Sequence, residues 1–141
     1  MNHRYQQKLK AFQNICQNVA ELSYDPKYKV GSIIFTPDFR EICAMGYNGN
    51  YKGGPNEREG LETGQSGFLH AEENALYHLT KDWDKRASLI MMVTHRPCRM
   101  CMKRIINSGI KTVYYLEDYN DPADNSDDFV SNLGILIKKV S

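Results

Sequence analysis

The succession of hydrophobic patterns predicts an α/β domain, a mixed five-stranded sheet with helices on both faces. Three observations predict it. A helical repeat opens the chain and is followed by two short strand-like runs with a turn between them. Beyond residue 69 helical and strand patterns alternate. The run Ser88 to Thr94 is apolar throughout its middle, as a strand covered on both faces is.

Each element has its own justification. Over residues 4–23, Leu9, Phe12, Ile15, Cys16, Val19 and Leu22 recur at helical spacing, with Tyr5 one turn earlier. Ser23-Tyr24-Asp25-Pro26 ends that helix, because the residue before proline is driven out of the helical region. Val30 to Thr36 reads as a strand, Pro37-Asp38 as a turn, and Glu41 to Tyr47 as the returning strand of a hairpin. Residues 48–68 hold six glycines and one proline without any period, so they form a long loop. A loop of that length in a small domain usually carries function or is disordered. Leu69, Ala75, Leu76 and Leu79 make a helical stripe over 69–81. Pro97 opens a further helix through Met102, Ile105 and Ile106, capped by Ser108-Gly109. Thr112 to Leu116 is the fourth strand, Phe129, Val130 and Leu133 suggest a short helix, and Ile135-Leu136-Ile137 is the fifth strand.

The length of 141 residues fits one domain spanning 1–141. Eighteen basic and 17 acidic residues leave a net charge of +1, which offers no electrostatic footprint for nucleic acid or an anionic membrane. The first eight residues carry no apolar run, and no stretch is long and apolar enough to span a bilayer, so neither a signal peptide nor a membrane segment is expected. Of the four cysteines, two form a CxxC, while Cys16 and Cys43 sit on apolar periodic segments. That is metal usage plus two core thiols rather than a disulfide framework, and a reducing cytoplasm is the expected location.

The most informative residues are His70-Ala71-Glu72 and Pro97-Cys98-Arg99-Met100-Cys101. One imidazole and two thiolates supply three ligands for one Zn2+; a structural zinc site closes its sphere with four, so three leave a position for water. Cys98 and Cys101 are three apart and share the first turn of their helix, whose N-terminus favours thiolate. Glu72, two residues from His70, can reach the open side of the metal and move the protons of that water. Two other readings use the same residues. In one, Cys16 or Cys43 completes a closed zinc knuckle; in the other, the CxxC is a redox pair, which needs no upstream His-x-Glu.

His-x-Glu followed by Pro-Cys-x-x-Cys is a general signature of zinc-dependent base deaminases. From about Leu9 to Val140 the chain resembles the cytidine and deoxycytidylate deaminase family. Asp25 to Gly31, Gly46-Tyr47-Asn48-Gly49 and Ile105 to Lys111 look like its deoxycytidylate branch. The resemblance implies a three-layer α/β/α sandwich, catalysis by Glu72, and metal binding by His70, Cys98 and Cys101. It also implies that Asn48 bonds the deoxyribose, that the backbone of Ala71 touches the pyrimidine, and that Tyr119 walls the pocket. Family members assemble as tetramers or hexamers, so a homo-oligomer (hexamer, tetramer or dimer) is implied. The loop before His70 has no cysteine or histidine for the second zinc of some relatives, and its shortness argues against control by dCTP and dTTP. Glu73, His95 and Arg96 depart from the branch pattern beside the pocket.

Lys27, Lys29, Lys52 and Arg58 are candidates for a 5′-phosphate, with Lys29 favoured because it precedes the first strand. For any single one of them, an ordinary solvated cation is the commoner reading. His78 reads as a surface histidine, and Asp124, Asp127 and Asp128 lack the spacing of a calcium loop. The expected reaction is dCMP plus water to dUMP plus ammonia. The alternatives are a cytidine, deoxycytidine or modified-dCMP deaminase, a tRNA or single-stranded DNA deaminase, and a catalytically silent nucleotide-binding relative.

Overall fold

The first helix begins where Asn2 supplies a cap: its side-chain oxygen accepts from the backbone N–H groups of Arg4 and Tyr5. In the computed structural model, which describes residues 2–62, 64–118 and 122–140, this helix, α1, runs His3–Ala20. It is followed by β1 (Gly31–Phe35), β2 (Ile42–Tyr47) and α2 (Ala71–Tyr77). A 3₁₀ turn at Trp83–Ser88 leads into β3 (Ile90–His95), α3 (Arg99–Asn107) and β4 (Thr112–Glu117). A second 3₁₀ turn (Pro122–Asp124), the one-turn α4 (Asp127–Val130) and β5 (Leu136–Lys139) complete the chain.

The five strands lie in the order β2-β1-β3-β4-β5. β1 is antiparallel to both β2 and β3, whereas β3, β4 and β5 run parallel. The sheet is therefore mixed, as the alternation of patterns predicts. On one face Leu9, Cys16 and Val19 of α1 pack against Ile33, Phe35, Ile90, Met92 and Tyr114. On the other, Ala75 of α2 and Met102 and Ile105 of α3 pack against Ile34, Ala44, Met91, Val93 and Val113. This is the three-layer α/β/α arrangement. β1 and β3 are the covered central strands, which explains why their sequences are apolar without alternation.

Differences from expectation lie at element ends. The helix expected over 69–81 is shorter, because the chain turns at His78; Leu79 still fills the core, from a turn in which its amide bonds the Leu76 carbonyl. The helix expected to open at Pro97 begins at Arg99, with Cys98 extended at the N-cap. Trp83 opens the 3₁₀ turn and is exposed. Among the described residues, no helix is long and apolar enough to cross a membrane.

Two glycines set how closely the helices approach the sheet. A Cβ on Gly31 would lie 2.5 Å from the Ala20 nitrogen at the end of α1. One on Gly46 would lie 2.4 Å from the Ala75 nitrogen and 2.5 Å from the Ala71 carbonyl oxygen of α2. Backbone cannot yield as a flexible side chain can, so α2 would have to move off β2. Gly46→Ala is expected to lower stability by about 1–3 kcal/mol through overpacking, read as a reduced midpoint in urea unfolding at unchanged slope.

Candidate metal centre and pocket

The long loop is tied at its ends before it delivers His70. Gly49 and Leu69 exchange two backbone hydrogen bonds, at 3.0 and 2.8 Å. His70 then stands extended at the N-cap of α2, where its backbone N–H donates to Glu73 Oε1 at 3.0 Å. Glu73 also faces Arg104 Nε at 3.5 Å and so links the start of α2 to α3. The branch-atypical glutamate thus serves as a brace between the two helices.

Cys98 occupies the corresponding N-cap position of α3, its sulfur accepting from the Cys101 amide. Cys101 is buried one turn inside. His70 Nδ1 lies 3.2 Å from Cys101 Sγ and 3.6 Å from Cys98 Sγ. The three donor atoms all fall within 4.8 Å of one another. Zn–S and Zn–N bonds of about 2.3 and 2.0 Å at tetrahedral angles require donor separations of roughly 3.5 Å, so the set fits zinc. Among the described residues no fourth histidine, cysteine or carboxylate joins the group. Cys16 lies beneath α1 with its thiol directed at the Gly31 and Met92 carbonyls, and burial pushes its pKa up to about 12. Cys43 lies on β2.

The donors are polarised even before a cation is considered. Hydrogen bonding from Cys101, helped by His70, lowers the Cys98 pKa to about 4, which favours thiolate. Sharing a proton with Cys98, together with burial, raises Cys101. The Cys98 sulfur in turn raises the His70 pKa to about 9. This is the electron-rich character a soft-to-borderline cation needs. Glu72 is 4% exposed, and burial pushes its carboxyl up to about 7 against the opposing pull of His70.

These residues open into a cavity of ≈ 180 Å³, lined by His70, Ala71, Glu72 and Cys98 on the metal side and by Asn48, Arg58, Phe68 and Arg96 around it. Asn48 is in place but its amide is already engaged: Oδ1 accepts from Val30 N at 2.9 Å, and Nδ2 donates to the Tyr28 carbonyl at 2.8 Å and Asp25 Oδ2 at 3.3 Å. Lys29 does not line the cavity; it is a surface residue whose ammonium lies 3.8 Å from Glu21. Lys27 donates to the Leu61 carbonyl at 2.8 Å, and Lys52 is exposed. Tyr119 falls outside the described residues.

His95 pairs with Glu117 at 2.8 Å, and Arg96 reaches Asp127 at 2.7 Å while stacking over Tyr115. Asp128 pairs with Arg99, and Asp124 accepts from the Arg99 amide at 3.2 Å. The acidic segment thus serves the arginines around the CxxC. His78 closes α2, its Nδ1 2.8 Å from the Asn74 carbonyl oxygen. In the sequence Asp25 reads as part of a helix end and of a branch-like segment, and Arg58 only as a phosphate candidate. In the fold they form a buried ion pair of 2.7 Å in the pocket wall. α1 itself ends at Ala20, five residues before Asp25, short of the end expected at Ser23-Tyr24-Asp25-Pro26.

Comparison with known proteins agrees with this geometry. The model of the cytidine and deoxycytidylate deaminase zinc-binding region matches residues 6–117. The chain is 39% identical over 98 residues to ComE operon protein 2 of Bacillus subtilis, covering 67% of this chain but 51% of that protein. It is 33% identical over 111 residues to the deoxycytidylate deaminase of Homo sapiens, covering 72% and 61%. The chain therefore spans about half to three-fifths of the length of these relatives. The crystal structure of dCMP deaminase from the cyanophage S-TIM5 in complex with dCMP and dUMP matches at a TM-score of 0.79 and 28% identity, over 99% of each chain.

The placement of the cysteines has a direct consequence. Cys101→Ser is expected to lower bound zinc well below stoichiometric, because it removes a buried thiolate donor. Cys16→Ala, on the opposite face of the sheet, is expected to leave zinc stoichiometric. Metal analysis of both purified variants checks this.

Proposed function

The chain belongs to the zinc-binding cytidine and deoxycytidylate deaminases, and on that premise we propose that it hydrolyses dCMP to dUMP and ammonia. The observation that carries the proposal is the full-length likeness to a dCMP deaminase whose crystal structure holds dCMP and dUMP. The Gly46-Tyr47-Asn48-Gly49 segment and the pocket beside His70, Cys98 and Cys101 support it.

In this reading His70, Cys98 and Cys101 hold zinc. When bound, the metal supplies Lewis acidity that makes water acidic enough to react near neutral pH. Glu72 is the acid–base group: buried in the cavity next to His70, it moves one proton from the attacking water to ring N3, and then a second from the new C4 hydroxyl to the departing amine as the C–N bond breaks and the carbonyl forms. Ala71 presents its backbone to the pyrimidine, and Asn48, held by Val30, Tyr28 and Asp25, faces the sugar. The near-neutral net charge supports a free nucleotide over a polymer. A single-domain, cytoplasmic homo-oligomer completes the proposal.

A second reading, deoxycytidine without its phosphate, draws on one observation. The arginines of the described pocket wall, Arg58 and Arg96, each face a carboxylate, and Lys29 lies outside. A panel of dCMP, CMP, deoxycytidine, cytidine and dCTP, followed by ammonia release, separates the two. The highest kcat/KM is expected for dCMP. Deoxycytidine turned over equally well would reject the nucleotide reading. Glu72→Ala is expected to reduce kcat by about 10²-fold or more while zinc stays bound; unchanged turnover would reject its role.

A further inference from the structure

We infer that the buried pair Arg58–Asp25 is a positioning device that cancels charge in the pocket wall and fixes Asn48, so that the pocket admits an anionic nucleotide. The inference rests on the nucleotide reading above and assigns to Arg58 a role other than phosphate ligand.

Each of the three nitrogens of the Arg58 guanidinium already donates to a protein oxygen. Its NH1 donates to Asp25 Oδ2 at 2.7 Å, its Nε to the Gly60 carbonyl at 2.9 Å and its NH2 to the Glu62 carbonyl at 3.2 Å. The two side chains are 4% and 2% exposed. Asp25 is equally occupied. Its Oδ1 accepts from the amides of Lys27 and Tyr28 at 2.8 and 3.3 Å, and its Oδ2 also accepts from Asn48 Nδ2 at 3.3 Å. One carboxylate thus joins three things: the turn after α1, the asparagine that faces the pocket, and an arginine from a loop 33 residues away in sequence. That arginine in turn holds the loop backbone at residues 60 and 62.

Asp25, Asn48 and Arg58 all line the cavity that contains His70 and Glu72. A ligand there lies within Coulomb reach of the Asp25 carboxylate. With Arg58 in place the wall is neutral at this point. Without it, a desolvated negative charge would face the ligand, and a phosphorylated ligand would suffer more than a neutral one. Removing Asp25 instead would leave the cation uncompensated and shift the preference the opposite way. A pair that only held the fold together would affect both ligands alike.

The test is equilibrium binding of dUMP and deoxyuridine to the zinc-loaded protein, read as the ratio of their affinities. Arg58→Gln is expected to move the ratio against dUMP by about tenfold. Asp25→Asn is expected to move it towards dUMP, and the double variant to return it to about the wild-type value. Where Arg58→Gln does not fold, the sign of the Asp25→Asn shift decides. A ratio unmoved in the variants that fold, with both ligands weakened equally or not at all, overturns the inference. Wild-type protein that neither prefers dUMP nor turns over dCMP refutes the nucleotide reading itself.

Discussion

Two helix starts packed against one face of the sheet hold His70, Cys98 and Cys101 within 4.8 Å, and the rest of the site depends on that convergence. Soft donors so close repel one another unless a proton or a cation lies between them. His70 Nδ1, 3.2 and 3.6 Å from the two sulfurs, stands where that requirement is met. The convergence has a simple structural cause. Gly46 lets α2 lie directly on β2, β3 runs into the CxxC at the start of α3, and Glu73 braces the two helices through Arg104. Because both His70 and Cys98 stand at N-caps, they project from helix starts rather than from irregular loop backbone. Glu72 is carried along by the same helix and is buried for the same reason.

The opposite wall of the pocket is built differently. The described residues of 48–68 have almost no regular structure, yet the loop is pinned by its own bonds: Gly49 with Leu69, Glu59 N to Ser66 O, and Arg58 to Asp25. The metal side is thus fixed by packing and the loop side by a polar network. A network of this kind is sensitive to single substitutions, since each buried group left without its partner carries a desolvation cost. Substitutions in the loop can therefore reshape that wall while the donors at the helix starts stay in place.

The fold is legible in the sequence because it is written in local periods. The alternation of helix and strand, the uninterrupted apolar run of β3 and the stripe of α1 each depend on neighbours a few residues apart. The convergence of donors is legible because zinc demands particular atoms at a short spacing, and His-x-Glu with Cys-x-x-Cys offers those atoms in a combination that core packing alone does not require. What stays hidden depends on long-range contacts. Lys29 is well placed along the chain, just before β1, but its side chain points to Glu21 on the surface. Asn48 is recognisable from its segment, whereas the locking of its amide by Val30, Tyr28 and Asp25 is not. Asp25 and Arg58 meet only after the loop folds back, and no local pattern marks them as partners. The helix ends at His78 and Cys98 escape the sequence for a smaller reason: a cap depends on backbone geometry that residue type only biases.

On this reading His70, Cys98 and Cys101 give zinc three protein donors, two of them sulfur, and leave room for a fourth, non-sulfur ligand. X-ray absorption at the zinc edge of the metal-loaded protein tests it most directly. The predicted result is two sulfur neighbours at about 2.3 Å with the remaining neighbours nitrogen or oxygen at about 2.0 Å. A third or fourth sulfur in the coordination shell would contradict it, because it would mean a closed structural centre with no place for the water that deamination consumes.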